Sequence, residues 1–214
     1  AEARAWYAAD RVPCAAPQVG YAIIIPRALR TASTQLSAFV KHKQSLGMKV
    51  AVVSDKELAA IKVGAEEGDA ERVRGWLKAN YKQLNLKWVL LIGNPDPDRP
   101  GVPMKMVHTM EYNVYHPTLT PTDHYYADLT GNWDLDGDGH FAEHDDDRGA
   151  GGVDFVPEVY VGRIPIYDGN ARALDAILAK TMAYIDDRGD LSWRRRVLQP
   201  AAMLFYENEY GKNR

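Results

Sequence analysis

The chain has 214 residues and a formal net charge of −3, and 46% of its residues are hydrophobic and 26% charged. This composition is that of a globular protein of one or two domains, at about 150 residues per domain, and it excludes a disordered or collagen-like chain. A single cysteine, Cys14, excludes an internal disulfide framework. The slightly acidic balance argues against nucleic-acid binding, and no apolar run approaches the roughly 20 residues of a membrane-spanning segment.

The first half of the chain alternates between apolar runs and amphipathic segments. Three runs have the β-branched content of strands that are buried on both faces. They span 21–25, 49–53 and 88–92. The spacing of apolar residues predicts helices between and after them, over 27–46, 55–61 and 70–84. This order predicts an α/β fold with a mainly parallel sheet, flanked by helices and joined by right-handed crossovers.

The second half begins with an unusually long connection. Residues 94–153 contain six prolines and are predicted to form one long acidic loop. Loops of this length inside a compact domain are usually functional. A strand is predicted at Glu158–Gly162, a helix over 168–186, and a further strand between Arg196 and Tyr206.

The same patterns suggest how the chain is divided. Residues 1–19 lack a clear period and are predicted to form a leader or edge segment, and residues 20–214 are predicted to form one α/β subdomain. The start at Ala1 is of the kind left by signal-peptide cleavage, which favours a secreted, periplasmic or cell-surface protein. Cys14 lies between two prolines in irregular chain, a poor setting for a nucleophile, so it is predicted to be non-catalytic.

The sharpest motif is a set of alternating aspartates, Asp134, Asp136 and Asp138, followed by glycine. Alternation turns successive carboxylates toward one ion, and the glycine permits the sharp turn of an EF-hand-type calcium loop. Eleven acidic residues and one basic residue, Arg148, lie between Asp123 and Glu158. Such a charge density repels itself unless it is solvated or bound to metal.

Two registers fit the calcium loop. In the first, Asp134 is position one, Gly139 is position six, His140 offers its backbone carbonyl, and Asp145 closes the loop. In the second, Asn132 is position one and Glu143 closes the loop. The candidate calcium ligands are therefore Asp134, Asp136, Asp138, His140, Glu143 and Asp145.

Two other readings of this loop stay open. The acidic residues form a solvated surface loop, or His140 and His144 bind a transition metal. The histidine spacing suits a metal only on a helix, and the glycines disfavour a helix here.

An acid and an imidazole stand side by side at Asp123 and His124. Neighbours in an extended chain point to opposite faces, so we predict a structural role for this pair and not a catalytic dyad. No Gly-x-Ser-x-Gly motif and no glycine-rich phosphate loop is present.

The order of these segments resembles that of the gingipain-like cysteine peptidases, from about residue 20 to about residue 200. Its most specific parts are Thr122–Asp128 and Val161–Pro165. The resemblance also rests on four further segments: Tyr21–Pro26, Leu46–Val53, Trp88–Gly93 and Met182–Ile185.

The resemblance implies a caspase-like α/β fold in two subdomains, secretion, calcium dependence in some members, and a Cys–His dyad that cleaves peptide bonds. In such a dyad the thiolate attacks the carbonyl, the imidazole transfers the proton, and backbone amides stabilise the oxyanion. The family's histidine precedes a glycine after a strand of the second subdomain, and its cysteine ends the next strand. Neither His140 nor Cys14 matches that setting, so no catalytic residue is assigned here.

These observations predict the first, calcium-binding subdomain of a secreted cysteine endopeptidase, a chain that stops before the catalytic subdomain. The substrate would be a protein or peptide, bound through the part beyond this chain. The alternative is a non-catalytic calcium-binding scaffold or interaction module of the same fold. In either case this chain by itself is predicted to hydrolyse no peptide.

Overall fold

A computed structural model describes residues 18–64, 68–108, 119–144 and 146–196. It contains six strands and five α-helices within these ranges. The strands are β1 (Gly20–Ile24), β2 (Lys49–Val53), β3 (Leu86–Gly93), β4 (Lys105–His108), β5 (Leu119–Thr122) and β6 (Tyr160–Pro165). The helices are α1 (Arg27–Ala32), α2 (Leu36–Ser45), α3 (Asp55–Leu58), α4 (Asp69–Asn80) and α5 (Ala171–Asp186).

Four of the strands form a parallel sheet in the order β2-β1-β3-β6. Ala22 of β1 pairs with Ala51 of β2 on one side and with Val89 of β3 on the other. The helices cover both faces of this sheet, so the predicted α/β fold with a mainly parallel sheet is confirmed. The four strands predicted at 21–25, 49–53, 88–92 and Glu158–Gly162 are present, with ends shifted by a few residues.

Alternate residues of the central strands belong to two hydrophobic cores, one on each face of the sheet. Ile24 and Leu91 belong to the core that includes α4 and the aromatic side chains of the acidic segment. Ile23 and Ile92 belong to the core on the opposite face, beneath α1, α2 and α5. Complete burial of one such side chain contributes roughly 1.5–3 kcal/mol. Because Tyr125, Tyr126 and Trp133 belong to the core that includes α4, this part of the chain packs on one face of the sheet.

The single helix predicted over 27–46 is wrong, because α1 and α2 are separate. Asp175 of α5 accepts hydrogen bonds from the backbone N–H groups of Thr34 and Gln35, at 3.0 and 3.1 Å, and from the Ser33 hydroxyl at 2.6 Å. These bonds hold the chain in a non-helical turn at the start of α2. Burial acts to raise the pKa of Asp175, but the hydrogen bonds outweigh it and lower this pKa to about 2.

The predicted loop over 94–153 also contains regular structure. Strands β4 and β5 form an antiparallel hairpin, in which Met106 pairs with Pro121, and a 3₁₀ helix follows at His124–Tyr126. Proline lacks an N–H group but is tolerated in a strand that has a free edge. The prediction of a loop without regular structure over 94–153 is therefore wrong, because a proline can lie within a strand there.

Some predictions lie outside the described residues. These are Cys14, most of the segment 1–19, and most of the strand expected between Arg196 and Tyr206. Within the described ranges, no helix is both long enough and apolar enough to cross a membrane.

Candidate metal centre

We define the acidic loop hereafter as residues 132–147, the aspartate-rich part of the long connection over 94–153. Arg74 of helix α4 holds the chain that leads into this loop. This guanidinium is buried and donates hydrogen bonds to the backbone carbonyls of Tyr125, Asp128 and Gly131, at 2.8–2.9 Å. The Trp133 ring is also buried, with its centroid 5.1 Å from that of Tyr125. Together these contacts fix the beginning of the loop against the core.

The carboxylate of Asp128 organises the chain that enters the loop. It is fully buried and accepts hydrogen bonds from the Gly131 N–H at 2.8 Å and from the Trp133 indole N–H at 3.0 Å. A buried carboxylate requires such donors, because desolvation of an unpaired charge is costly. Asp128 therefore has a structural role.

Asp147 has a similar role at the other end of the loop. Its fully buried carboxylate accepts hydrogen bonds from the Leu135 N–H at 2.5 Å and from the Glu143 N–H at 3.1 Å. One side chain thus joins two points that are eight residues apart. The sequence interpretation missed this function, because Asp147 is the last of three consecutive aspartates and nothing in that run marks it as buried.

The three alternating aspartates converge. Asp134, Asp136 and Asp138 each offer one carboxylate oxygen, and these oxygens lie within 4.8 Å of one another. Gly139 has φ +87° and donates its N–H to Asp134 Oδ1 at 3.2 Å. Because the left-handed region favours glycine, a side chain at position 139 would strain the turn that brings these carboxylates together.

His140 and Glu143 belong to a second group, which shares Asp138 with the first. His140 Nδ1 lies 3.2 Å from Asp138 Oδ2 and 3.9 Å from Glu143 Oε1. One donor atom from each of the three residues lies within 4.8 Å of the others. His144 is in neither group of described residues. Asp145, the predicted closing ligand of the first register, lies outside the described residues.

The electrostatic environment of Glu143 shows the crowding of negative charge. Partial burial raises the pKa of this carboxyl, and the Asp138 and Asp146 carboxylates raise it further. The imidazoles of His140 and His108 act in the opposite direction. A bound cation would relieve the same repulsion.

Asp123 and His124 do not form a dyad. Asp123 makes a bidentate ion pair with Arg163 of β6, at 2.7 Å to Nε and 2.6 Å to Nη2. His124 Nε2 instead lies 2.6 Å from the carbonyl oxygen of Asp154. These contacts agree with the predicted structural role, and they show that Thr122–Asp128 and Val161–Pro165 meet in space.

The family comparison covers nearly the whole chain. Residues 15–209 match the family model described as Peptidase family C25, the gingipain family. Neither a curated protein nor a solved structure gave a significant match. The four-stranded parallel sheet with flanking helices is consistent with the caspase-like fold of gingipains. The chain therefore belongs to peptidase family C25, the cysteine peptidases related to gingipains.

Proposed function

We propose that this chain is the N-terminal, calcium-binding part of a secreted gingipain-like cysteine endopeptidase. Family membership supports the hydrolysis of peptide bonds in a protein or peptide substrate. Three parts of the proposal go beyond family membership. They are the calcium site, the export of the protein, and the separation of this part from a catalytic part.

The observation that carries the calcium proposal is the hydrogen bond from Gly139 N–H to Asp134 Oδ1. It joins positions six and one of the first register, so it favours that register over the one beginning at Asn132. Asp134, Asp136 and Asp138 then occupy positions one, three and five, and their oxygens converge. Carboxylate oxygens are the ligands that Ca²⁺ prefers, so the residues fit the ion.

Calcium in this loop would act on the structure and not on the reaction. Neither the single cysteine, Cys14, nor His140 stands in the sequence setting of the family's catalytic pair, so we place the Cys–His dyad in a part of the protein outside this sequence. Extracellular calcium modules bind with dissociation constants of about 10⁻⁴–10⁻³ M, so such a loop would be occupied mainly after export. We therefore include a secreted, periplasmic or cell-surface location in the proposal.

The division of labour is tested by reading the coding sequence past Arg214 and by assaying both forms. We expect a His-Gly and, one strand later, a cysteine. The longer protein should cleave fluorogenic peptides, and the 214-residue chain should cleave none. Absence of either residue would leave the alternative, a non-catalytic calcium-binding module. Peptidase activity in a Cys14→Ala variant of the 214-residue chain would contradict the proposed division.

A further inference from the structure

His140 of the acidic loop contacts a second histidine, which comes from a separate segment of the chain. His108 is the last residue of β4, and its ring centroid lies 4.5 Å from that of His140. The backbone N–H of His108 donates to the Phe141 carbonyl at 2.8 Å. This hydrogen bond fixes the end of β4 next to the loop, so the imidazole pair is part of the fold.

One imidazole of the pair stands beside oxygen donors of the second group, and the other has a nitrogen without a partner within the described ranges. His140 Nδ1 faces the carboxylates of Asp138 and Glu143, at 3.2 and 3.9 Å. His108 Nδ1 is buried and has no hydrogen-bond partner in the part of the chain that the structure describes. A buried nitrogen without a partner is uncommon in folded proteins and indicates a missing interaction.

We propose that His108, His140, Glu143 and Asp138 form a binding site for one first-row transition-metal dication, of which Zn²⁺ is the probe. We call these four residues the histidine cluster. Imidazole nitrogen with carboxylate oxygen is a donor set that suits Zn²⁺ and its neighbours, whereas Ca²⁺ takes oxygen ligands. The cluster is therefore chemically distinct from the three converging aspartates.

Three of the four proposed donors already lie close together. Zn²⁺ bonds of about 2.0–2.2 Å place donors of a tetrahedral site roughly 3–4 Å apart. The donor atoms of Asp138, His140 and Glu143 lie within 4.8 Å of one another. The side chains of His140 and Asp138 are 57% and 43% exposed, so a metal ion can reach them from solvent. The His108 ring, whose centroid lies 4.5 Å from that of His140, is the fourth donor of the proposed site.

This proposal does not depend on the calcium site. The two groups share only Asp138, and His140 would serve calcium through its backbone carbonyl, which a side-chain substitution retains. Asp134 belongs to the aspartate group alone, and His108 to the histidine cluster alone. Substitutions can therefore remove one site and leave the other.

The experiment is calorimetric titration of Zn²⁺ into the 214-residue chain, with the visible absorption of Co²⁺ as a second signal for the ligand set. We expect one Zn²⁺ per chain. His108→Gln and His140→Gln should each weaken binding by about tenfold to 100-fold or more. Asp134→Asn should leave the affinity for Zn²⁺ within about threefold of the unsubstituted chain.

His42→Gln is the matched histidine control. His42 also has a buried Nδ1 without a hydrogen-bond partner among the described residues, but its Nε2 contacts Asp186, far from the loop in sequence. This variant should bind Zn²⁺ as the unsubstituted chain does. Circular dichroism melting shows whether each variant folds. His108→Gln lies outside the loop, so it remains decisive if His140→Gln unfolds.

Three results would overturn the proposal. The first is the absence of Zn²⁺ binding by the folded chain. The second is an affinity that changes less than threefold in folded His108→Gln. The third is an equal loss in His42→Gln, which would show that the loss of binding is not specific to the histidine cluster.

Discussion

Two aspartates of the acidic segment, Asp128 and Asp147, are fully buried, and their carboxylates accept hydrogen bonds from the polypeptide around them. Among the described residues, Asp147 has two N–H donors and Asp128 has more, and these donors offset the desolvation of the carboxylates. Asp134, Asp136 and Asp138 also accept backbone N–H groups, but they are only partly buried or exposed, so solvent and ions can reach them. At the scale of residues, burial thus separates the aspartates that hold the chain together from those that we propose as calcium ligands.

Replacement of Asp147 tests this distinction. Asp147→Asn removes the charge and one of the two acceptor oxygens that join Leu135 and Glu143, so we expect the free energy of unfolding to fall by about 1–3 kcal/mol. The measurement is urea denaturation. Asp146→Asn is the matched control, because Asp146 is the exposed neighbour and its loss should change stability by less than about 0.5 kcal/mol. Equal effects of the two substitutions would contradict the account.

At the scale of elements, Asp175 ties helix α5 to the start of helix α2. Its carboxylate accepts four hydrogen bonds from Ser33, Thr34 and Gln35 and stands in for an N-terminal cap. This contact spans about 140 residues of sequence. It explains why a helical pattern that runs through 27–46 folds as two helices, which no local reading of that segment could show.

This tether predicts how stability changes in acid. The pKa of Asp175 is about 2 in the folded chain, below the value of about 3.9 for an unfolded aspartate. A lowered folded pKa contributes stability that is fully present above about pH 4 and lost as the pH falls toward 2. Asp175→Asn should therefore melt at a lower temperature at pH 6, and the gap from the unsubstituted chain should narrow at pH 2.5. The measurement is thermal melting at both pH values. A difference in melting temperature that does not change with pH would contradict this role of Asp175.

At the scale of the whole molecule, the sequence predicted the parts that depend on local hydrophobic pattern. The strands β1, β2 and β3 follow from their apolar runs, and the aspartates of the loop follow from their spacing. The contact of His108 with His140 joins distant segments, and the pairing of β4 with β5 and the burial of Asp147 depend on packing against the rest of the fold, which no local pattern contains. The resemblance to gingipains rests most specifically on two motifs, Thr122–Asp128 and Val161–Pro165, whose residues meet through the ion pair of Asp123 and Arg163.

We propose that the acidic loop binds calcium in the register that begins at Asp134. Calorimetric titration of Ca²⁺ into the 214-residue chain tests it most directly, together with the melting temperature, because an ion that binds only the folded state stabilises it by mass action. We predict one Ca²⁺ per chain and a higher melting temperature. Asp136→Ala should abolish both effects, and Asn132→Ala should retain them. Absence of calcium binding, or unchanged binding in Asp136→Ala, would contradict the account.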